Sequence, residues 1–476
     1  MGVRFLLDGD VVEIADVDPT ATLLDHLRYR MGCTGTKEGC AEGDCGACTV
    51  LVGELNGDGV QWRAVNSCIT FLPMLDGRAL MTVESLAGAD GALTPLQACM
   101  AANGSSQCGF CTPGFVMSLH GRCIGAVGHD LPVADVIAGN LCRCTGYGPI
   151  LAAGETTAAV TQDDAAVAHT LKDLSSPDTV SGEYQGRRWF APRTMEALVA
   201  LLAEYPDARM VAGATDVGLW VTKGMRTLDT LIFLGDIAEL RGIEEEAEGL
   251  RLGAGVRYAD AHAAMARLHP DLGELVRRIG GLQVRNAGTV GGNIANGSPI
   301  GDGPPALIAM GAELTLRSIE GARTMPLEAY FLDYGKQDRR PGEFVESVWI
   351  PRPAKHAVIH ISKLSRRFDS DISAVCGAFN LSIEGERITS ARVAFGGMAG
   401  TPRRASECEA ALTGQPFTRA TFENAADALR ADFAPLSDVR GSSDYRLEAA
   451  ANLLLRLWHG AQGDTVSVLD GLAAHG

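Results

Sequence analysis

The placement of cysteine is the strongest constraint on how this chain of 476 residues folds. Eleven of its thirteen cysteines lie before residue 145, and only Cys376 and Cys408 lie beyond it. Disulfide-stapled scaffolds are usually small and would distribute their cysteines, whereas this chain is long enough for about three domains with cores of their own. The clustering therefore indicates metal binding in the first third of the chain.

Composition and charge exclude several classes of protein. Hydrophobic residues make up 46% and charged residues 21%, as in an ordinary globular protein. The formal net charge of -17 argues against binding to nucleic acid or to an anionic membrane. The N-terminal residues are acidic where a signal peptide is basic and then apolar, and no apolar run is long enough to span a bilayer. We therefore expect a cytoplasmic protein with reduced thiols that binds neither nucleic acid nor membrane.

Hydrophobic periodicity divides the chain into segments of different type. Short strands around one helix are predicted first, then four short helices that form a small bundle, then a linker with little apolar periodicity. Alternating strands and helices follow, and the last segment contains strands and then helices. The predicted limits are 1–88, 89–160, 161–183, 184–355 and 356–476.

Local signals predict where some of these elements begin. The first two strands are predicted to form a hairpin that turns at Gly9-Asp10. Thr94 and Thr112 are each followed by proline, so each is predicted to be the N-cap of a helix. Residues 261–281 are predicted to be helical.

The first cysteine group has the spacing of a plant-type ferredoxin. Cys40, Cys45 and Cys48 form a C-x4-C-x2-C pattern, and Cys68 follows after a strand. Because a two-iron cluster is compact, three of its thiolates must come from one loop that wraps it closely. We predict that these four cysteines bind a 2Fe-2S cluster, while Cys33 falls outside the spacing and is an ordinary thiol.

Glycines in the same loop support this prediction. Gly39, Gly43 and Gly46 allow positive φ angles, which let backbone N–H groups approach the sulfur atoms. A zinc site is the alternative, although zinc knuckles use C-x2-C pairs without the four-residue gap.

The second group comprises a C-x2-C pair, Cys108 and Cys111, and a C-x-C pair, Cys142 and Cys144. Zinc competes more seriously here, but both pairs lie close to predicted helix starts. Free N–H groups at helix N-termini favour an anionic iron–sulfur cluster. Cys99 and Cys123 lie within predicted helices and are taken as apolar thiols.

Three segments together resemble the iron–sulfur part of the molybdenum hydroxylases, a family that includes xanthine dehydrogenase, aldehyde oxidase and carbon monoxide dehydrogenase. The segments are GCAEGDCGAC (39–48), QCGFCTPG (107–114) and GNLCRCTGY (139–147). All eight cysteines match the family pattern. The resemblance implies that the second cluster lies beside molybdopterin, with Gln107 contacting the pterin, and that the first lies towards a flavin.

Two glycine-rich turns later in the chain are candidates for binding a diphosphate. No G-x-G-x-x-G motif follows a strand, so a Rossmann site is not predicted. The turns are VAGATDVG (211–218) and TVGGNIAN (289–296), in which small residues allow backbone N–H groups to approach phosphate oxygens. Tight turns use the same residues, so each turn alone is a weak signal.

Together the two turns resemble the FAD domain of the same family, which is of the vanillyl-alcohol-oxidase type. Tyr334 falls where relatives place a tyrosine on the nicotinamide side, and Ile279 replaces an aromatic residue near the flavin of animal members. The residues that the resemblance assigns to FAD are Val211, Ala212, Gly213, Ala214, Thr215, Asp216, Ile279, Thr289, Gly291, Gly292, Asn293, Asn296, Asp302 and Lys363.

The resemblance implies an α+β multidomain fold. Its parts are a β-grasp ferredoxin-like domain, a four-helix bundle iron–sulfur domain, the FAD domain and a C-terminal α+β domain. The order resembles the small subunit of two-subunit bacterial members, and no molybdopterin motif is found here. This implies a separate large molybdopterin subunit, in a heterotetramer of two small and two large chains, with electrons passing through both clusters and FAD to NAD+.

Three alternatives to a subunit of a xanthine-oxidising, NAD-reducing complex stay open. The partner subunit can act on aldehydes or N-heterocycles instead of purines. The acceptor can be oxygen rather than NAD+. A protein of another class, which holds zinc at both cysteine groups and has no flavin, is the third alternative.

Overall fold

A computed structural model describes residues 2–88, 90–127 and 131–464. The predicted domain limits at residues 1, 89 and 476 fall outside these ranges. The structure contains two compact units. The first comprises residues up to 239 together with 257–259 and 280–289, and the second comprises 240–256, 260–279 and the residues from 290 onwards. This division passes through the segment predicted as the FAD domain.

The N-terminal segment folds as a mixed five-stranded sheet with one helix, as the prediction of a β-grasp domain requires. The strand order is β2-β1-β5-β3-β4, and β1 and β5 are parallel. The helix buries Leu23, Leu24 and Leu27, and Thr22 caps it by accepting from the backbone N–H of Asp25. The elements are β1 (Val3–Leu7), β2 (Asp10–Ile14), α1 (Leu23–Tyr29), β3 (Thr49–Asn56), β4 (Gly59–Asn66) and β5 (Ala79–Met81).

The first hairpin turns one residue earlier than predicted. Leu7 pairs with Asp10, so Asp8 and Gly9 are the two turn residues. Their φ angles are 50° and 101°, the positive values that a two-residue type I′ turn requires. The Asp-Gly pair therefore sets the register, and the prediction of Gly9-Asp10 is corrected.

Four short helices follow, as predicted. They are α2 (Pro95–Ala102), α3 (Thr112–Cys123), α4 (Val133–Ile137) and α5 (Gly148–Thr156). Thr94 caps α2 in a capping box with Gln97, which confirms the predicted start. The second start is shifted, because Cys111 is the N-cap of α3 and Thr112 is its first residue.

The middle of the chain alternates strands and helices. Strands β6 to β9 form a sheet of order β6-β7-β9-β8 in the first unit, and the second unit contains a sheet of order β10-β11-β16-β12-β13. The elements are α6 (Ala165–Leu174), β6 (Val180–Tyr184), β7 (Arg187–Ala191), α7 (Met195–Glu204), β8 (Arg209–Val211), α8 (Val217–Thr222), β9 (Thr230–Phe233), β10 (Ile243–Glu245), β11 (Gly249–Gly253), α9 (Tyr258–Leu268), α10 (Pro270–Arg277), α11 (Leu282–Ala287), α12 (Val290–Asn296), α13 (Gly303–Met310), β12 (Glu313–Ser318), β13 (Gly321–Pro326), α14 (Leu327–Tyr330), β14 (Phe331–Asp333), β15 (Lys336–Gln337) and β16 (Phe344–Pro351).

Two predictions in this region differ from the structure. The predicted linker contains α6, which buries Ala168, Leu171 and Leu174 along one helical face. The helix predicted over 261–281 is two helices, because Pro270 cannot continue the first of them.

The C-terminal segment folds as predicted, with a four-stranded sheet followed by helices. Its helices bury Phe422, Leu429 and Leu453 in a core shared with the sheet. The elements are β17 (Ala357–Leu364), β18 (Val375–Glu384), β19 (Arg387–Gly396), β20 (Arg403–Arg404), α15 (Ser406–Leu412), α16 (Arg419–Asp432) and α17 (Ser443–Ala461). Within the described ranges, no helix is both long and apolar enough to cross a membrane.

A network of buried ion pairs joins the first sheet to later parts of the first unit. Arg78 pairs with Glu54, at 3.5 Å between Nη1 and Oε1, and with Asp236. Glu54 also accepts from Nη1 of Arg257 at 3.0 Å, and Asp236 pairs with Arg193. Burial acts to lower the pKa of Arg78, but Glu54 and Asp236 raise it above its ordinary value.

We predict that Arg78→Met destabilises the first unit by about 3 kcal/mol, because it removes a shared cation from buried Glu54 and partly buried Asp236. Denaturant unfolding followed by tryptophan fluorescence measures the change. The control is Lys172→Met, which breaks the exposed pair with Asp58 and should have little effect. Equal effects of the two substitutions would contradict the prediction.

Candidate iron–sulfur and flavin sites

The four cysteines of the first predicted site lie together in the first unit. Cys40, Cys45 and Cys48 come from the loop between α1 and β3, and Cys68 lies in a short 3-10 turn after β4. Side-chain hydrogen bonds connect Cys40 to Cys45 and to Cys68, and Cys48 to Cys68. The fold therefore brings the four thiols into one group.

The loop surrounds these thiols because some of its residues have left-handed backbone conformations and one lies very close to a sulfur atom. Gly43 and Gly46 have φ angles of 77° and 67°, as expected for residues that turn a chain around a compact group. Ala41 also has a positive φ, 55°, which sequence reasoning did not predict. Gly39 has no positive φ, so its predicted role is corrected: a Cβ atom there would lie 2.7 Å from Sγ of Cys45.

Backbone N–H groups point at the sulfur of Cys40. Glu42 and Cys45 donate to its Sγ at 3.4 Å each. Hydrogen bonds with neighbouring thiols and with these amides lower the pKa of Cys40, whereas the hydrogen bond to Cys40 raises the pKa of Cys45. Donors around a sulfur stabilise the anionic form that ligates iron.

The second cysteine group lies at the start of α3 and in the loop before α5. Cys108 hydrogen-bonds to Cys144, and Cys111 to Cys142. Burial and the contact with Cys142 raise the pKa of Cys111 to about 12. Because Cys111 is the N-cap of α3, the free N–H groups of this helix are close to the site.

Two residues that the sequence did not single out shape this second loop. Burial acts to raise the pKa of Cys142, but the hydroxyl of Thr145, at 3.2 Å from Sγ, and its N–H, at 3.4 Å, lower it overall. The hydroxyl of Tyr147 accepts from the N–H of Cys142 at 3.0 Å. Tyr147 itself has a φ of 69°, a strained conformation next to the site.

Each of the two groups supplies four thiols. Among the described residues, no three or more His, Cys, Asp or Glu side chains form a group suited to one metal ion. A 2Fe-2S cluster takes four cysteines, two on each iron. Gln107 precedes Cys108 in the second group and is exposed.

The first glycine-rich turn approaches the start of the second one within the first unit. A Cβ atom on Gly213 would overlap the carbonyl oxygen of Ala287, and one on Gly288 would lie 3.3 Å from Oγ1 of Thr215. Ala214 is buried with a φ of 56°, an uncommon conformation for a residue other than glycine. Val211–Asp216 and Thr289 are therefore brought together here.

The remaining predicted flavin residues belong to the second unit. Gly291 lies against Ala254, where a Cβ atom would not fit, and Gly292, Asn293 and Asn296 follow on α12. Ile279 ends the segment after α10 and is partly exposed. Tyr334 lies in the turn between β14 and β15, and 71% of its surface is exposed.

Asp302 and Lys363 form a buried ion pair. Nζ of Lys363 lies 2.6 Å from Oδ2 of Asp302, and the hydroxyl of Ser373 donates to Oδ1. The fold supplies both oxygens with partners before any ligand is bound. The two residues that the resemblance assigned separately to the flavin therefore act as one pair.

Fold and sites together define a protein with two iron–sulfur modules and a flavin module. Four family models match the chain, described as a 2Fe-2S iron-sulfur cluster binding domain (5–72), a 2Fe-2S binding domain (82–155), an FAD binding domain in molybdopterin dehydrogenase (182–353) and a CO dehydrogenase flavoprotein C-terminal domain (360–461). A carbon monoxide dehydrogenase from Hydrogenophaga pseudoflava is 31% identical with a TM-score of 0.54, over 58% of this chain and 96% of that chain. The chain belongs to the molybdenum hydroxylase family of oxidoreductases.

Other relatives bear different names. Xanthine dehydrogenases of Emericella nidulans and Drosophila subobscura are 31% and 32% identical over 96% and 95% of this chain. The chain spans 38% and 39% of their lengths. Quinoline 2-oxidoreductase from Pseudomonas putida 86 is 28% identical over 57% of this chain and 96% of that chain, with a TM-score of 0.53.

We predict that Gly213→Ala lowers the FAD content of the purified protein severalfold, because the added methyl group must displace the backbone at Ala287. Flavin released by heat or acid is measured against protein concentration. The matched control is Gly235→Ala, since a Cβ atom at Gly235 meets nothing within 4 Å. Full flavin content in Gly213→Ala would show that this approach does not form the site.

Proposed function

We propose that this chain is the electron-transfer and NAD-reducing subunit of a xanthine dehydrogenase. In this role it receives electrons when a partner molybdopterin subunit oxidises hypoxanthine to xanthine and xanthine to urate, and delivers them to NAD+. The observation that carries the proposal is that one compact unit holds both cysteine groups and the first glycine-rich turn. Relatives named xanthine dehydrogenase, matched along nearly the whole chain, support the choice of substrate.

The proposed ligands follow from the two groups of thiols. Cys40, Cys45, Cys48 and Cys68 hold the first cluster, and Cys108, Cys111, Cys142 and Cys144 hold the second. The N–H groups directed at Cys40 and Cys142 stabilise negative charge on the sulfur atoms. Bound in these sites, the clusters and FAD supply single-electron transfer and its conversion to hydride transfer.

The proposed flavin site uses the backbone of the two glycine-rich turns. Gly213 and Gly291 permit close approach of the chain, so N–H groups are available to a diphosphate. Lys363 supplies a cation that Asp302 holds in place. The full proposed set is Val211, Ala212, Gly213, Ala214, Thr215, Asp216, Ile279, Thr289, Gly291, Gly292, Asn293, Asn296, Asp302 and Lys363, with Tyr334 on the NAD side.

The division of the chain and its assembly are parts of the same proposal. We propose domains at 1–88, 89–160, 184–355 and 356–476, and a large molybdopterin subunit as partner in a heterotetramer of two chains of each kind. Gln107, which is exposed beside Cys108, faces solvent where a pterin on the partner can reach it.

A second candidate function is the same role with a different substrate. The quinoline 2-oxidoreductase of Pseudomonas putida 86 bears the name of an N-heterocycle, and the carbon monoxide dehydrogenase bears that of a small gas. In the proposed complex the substrate is oxidised on the partner subunit and not on this chain. The choice therefore rests on an assay of the complex.

We predict that the complex purified with its partner reduces NAD+ when xanthine is added, and much more slowly with an aldehyde or quinoline. Absorbance at the NADH band measures the rate, with oxygen consumption recorded in parallel. Faster reduction with the aldehyde or quinoline would favour the second candidate. Oxygen consumption without NADH would make the protein an oxidase.

We predict that Cys111→Ser removes the second cluster and leaves the first. Iron content should fall to roughly half, and one of two reduced-cluster signals should disappear from the low-temperature EPR spectrum. The matched control is Cys99→Ser, since Cys99 lies in α2 away from both groups. A colourless wild-type protein that contains zinc would overturn the iron–sulfur assignment itself.

A further inference from the structure

Gln283 lies where the two cysteine loops meet, although it belongs to neither. It is on α11, and 1% of its surface is exposed. Its Nε2 donates to Oγ1 of Thr49 at 3.0 Å, next to Cys48, and to Oδ1 of Asn140 at 3.0 Å, two residues before Cys142. A third contact, at 3.2 Å, reaches Oγ of Ser118 on α3.

A backbone carbonyl in the first loop fixes the orientation of both amide side chains. The carbonyl of Gly46 can only accept, so Asn140 must direct its Nδ2 towards it, at 3.1 Å. The Oδ1 of Asn140 then points the other way, where it accepts from Ser118 at 2.8 Å and from Gln283. The carbonyl of Gly46, which lies between two predicted ligands, therefore sets the direction of each hydrogen bond through Asn140 to Gln283.

The backbones around this node approach one another closely. A Cβ atom on Gly139 would overlap Oε1 of Gln283, and one on Gly281 would overlap the Cα of Gly139. The N–H of Leu141 donates to the carbonyl of Cys45 at 2.9 Å, a direct bond between the two loops. Gln283 thus contacts both loops, and α11 leads into the glycine-rich turn at Gly288.

A buried polar node of this kind favours one arrangement over others. Thr49, Ser118, Asn140 and Gln283 are each about 1% exposed. An apolar side chain of similar volume would fill this space without burying an amide, so stability alone does not call for glutamine. The hydrogen bonds that Nε2 of Gln283 donates, by contrast, form in only one relative placement of the segments.

We propose that Gln283 is a positioning residue. It holds the two cluster loops in one position relative to each other, and it connects both loops to the glycine-rich turn at Gly288. This rests on the proposed cluster ligands. The consequence is that a change at Gln283 alters the electronic properties of both clusters together, although the residue ligates neither. The glutamine acts through Thr49 on the first loop and through Asn140 on the second.

The test compares three variants of the full chain in complex with its partner. Gln283→Leu removes the amide donor at similar volume, and Gly139→Ala displaces the same side chain from its other side. The matched control is Asn286→Leu on the same helix, because Asn286 donates to the carbonyl of Ala64 on β4 at 2.9 Å. Each protein is examined for iron content, thermal unfolding, and EPR-monitored redox titration.

We expect Gln283→Leu and Gly139→Ala to retain full iron and both EPR signals. In both variants the midpoint potentials of the two clusters should shift, and the magnetic interaction between the reduced clusters should change. Asn286→Leu should lower the unfolding temperature with potentials and spectra as in the wild type. Unchanged potentials and spectra in Gln283→Leu, with reduced stability like the control, would overturn the proposal. Absence of clusters from the wild type would instead refute the proposed function.

Discussion

The close approach of sulfur atoms is the constraint on which the first unit depends. Thiols repel one another once they become anionic, as iron ligation requires, so a chain that gathers four of them must hold them together. It does so with left-handed backbone at Ala41, Gly43 and Gly46, and with amide donors directed at Cys40. Asn66, which is buried, donates to the carbonyl of Gly43 at 2.8 Å and secures the turn from outside. A residue of the sheet thus stabilises the left-handed conformation of the loop.

Glycine serves a second purpose in this unit, because it lets separate segments meet backbone to backbone. A Cβ atom on Gly114 would overlap the carbonyl of Gly46, which brings α3 directly against the first cysteine loop. Gly218 on α8 lies against Ile69, where a Cβ atom would be 2.8 Å from the side chain, next to Cys68. Electron transfer requires short separations between cofactors, and segments that touch through glycine minimise the distance between the groups they hold.

The sequence predicts the cysteine ligands better than it predicts the residues that hold those cysteines in position. Cysteine spacing identifies all eight thiols that the fold brings together, since the chemistry of a cluster demands that residue type. Gln283 carries no such signal because its partners are distant in sequence, and Tyr147 carries none because tyrosine has many ordinary uses. The same applies to Arg78, whose partners Glu54 and Asp236 belong to segments that nothing local connects. Helix α6 has an apolar face of only three residues, too short to stand out from its polar neighbours.

Local ion pairs neutralise some of the acidic residues that this chain, with a net charge of -17, buries. Buried carboxylates such as Glu54 and Asp302 each have a cation within hydrogen-bonding distance, so their charge is neutralised locally. Such pairs contribute little net stability, because desolvation offsets most of their attraction. Their geometry is specific, however, and a lysine held by Asp302 keeps its position without a ligand. The excess acidic residues are consequently left to the surface, where solvent screens them.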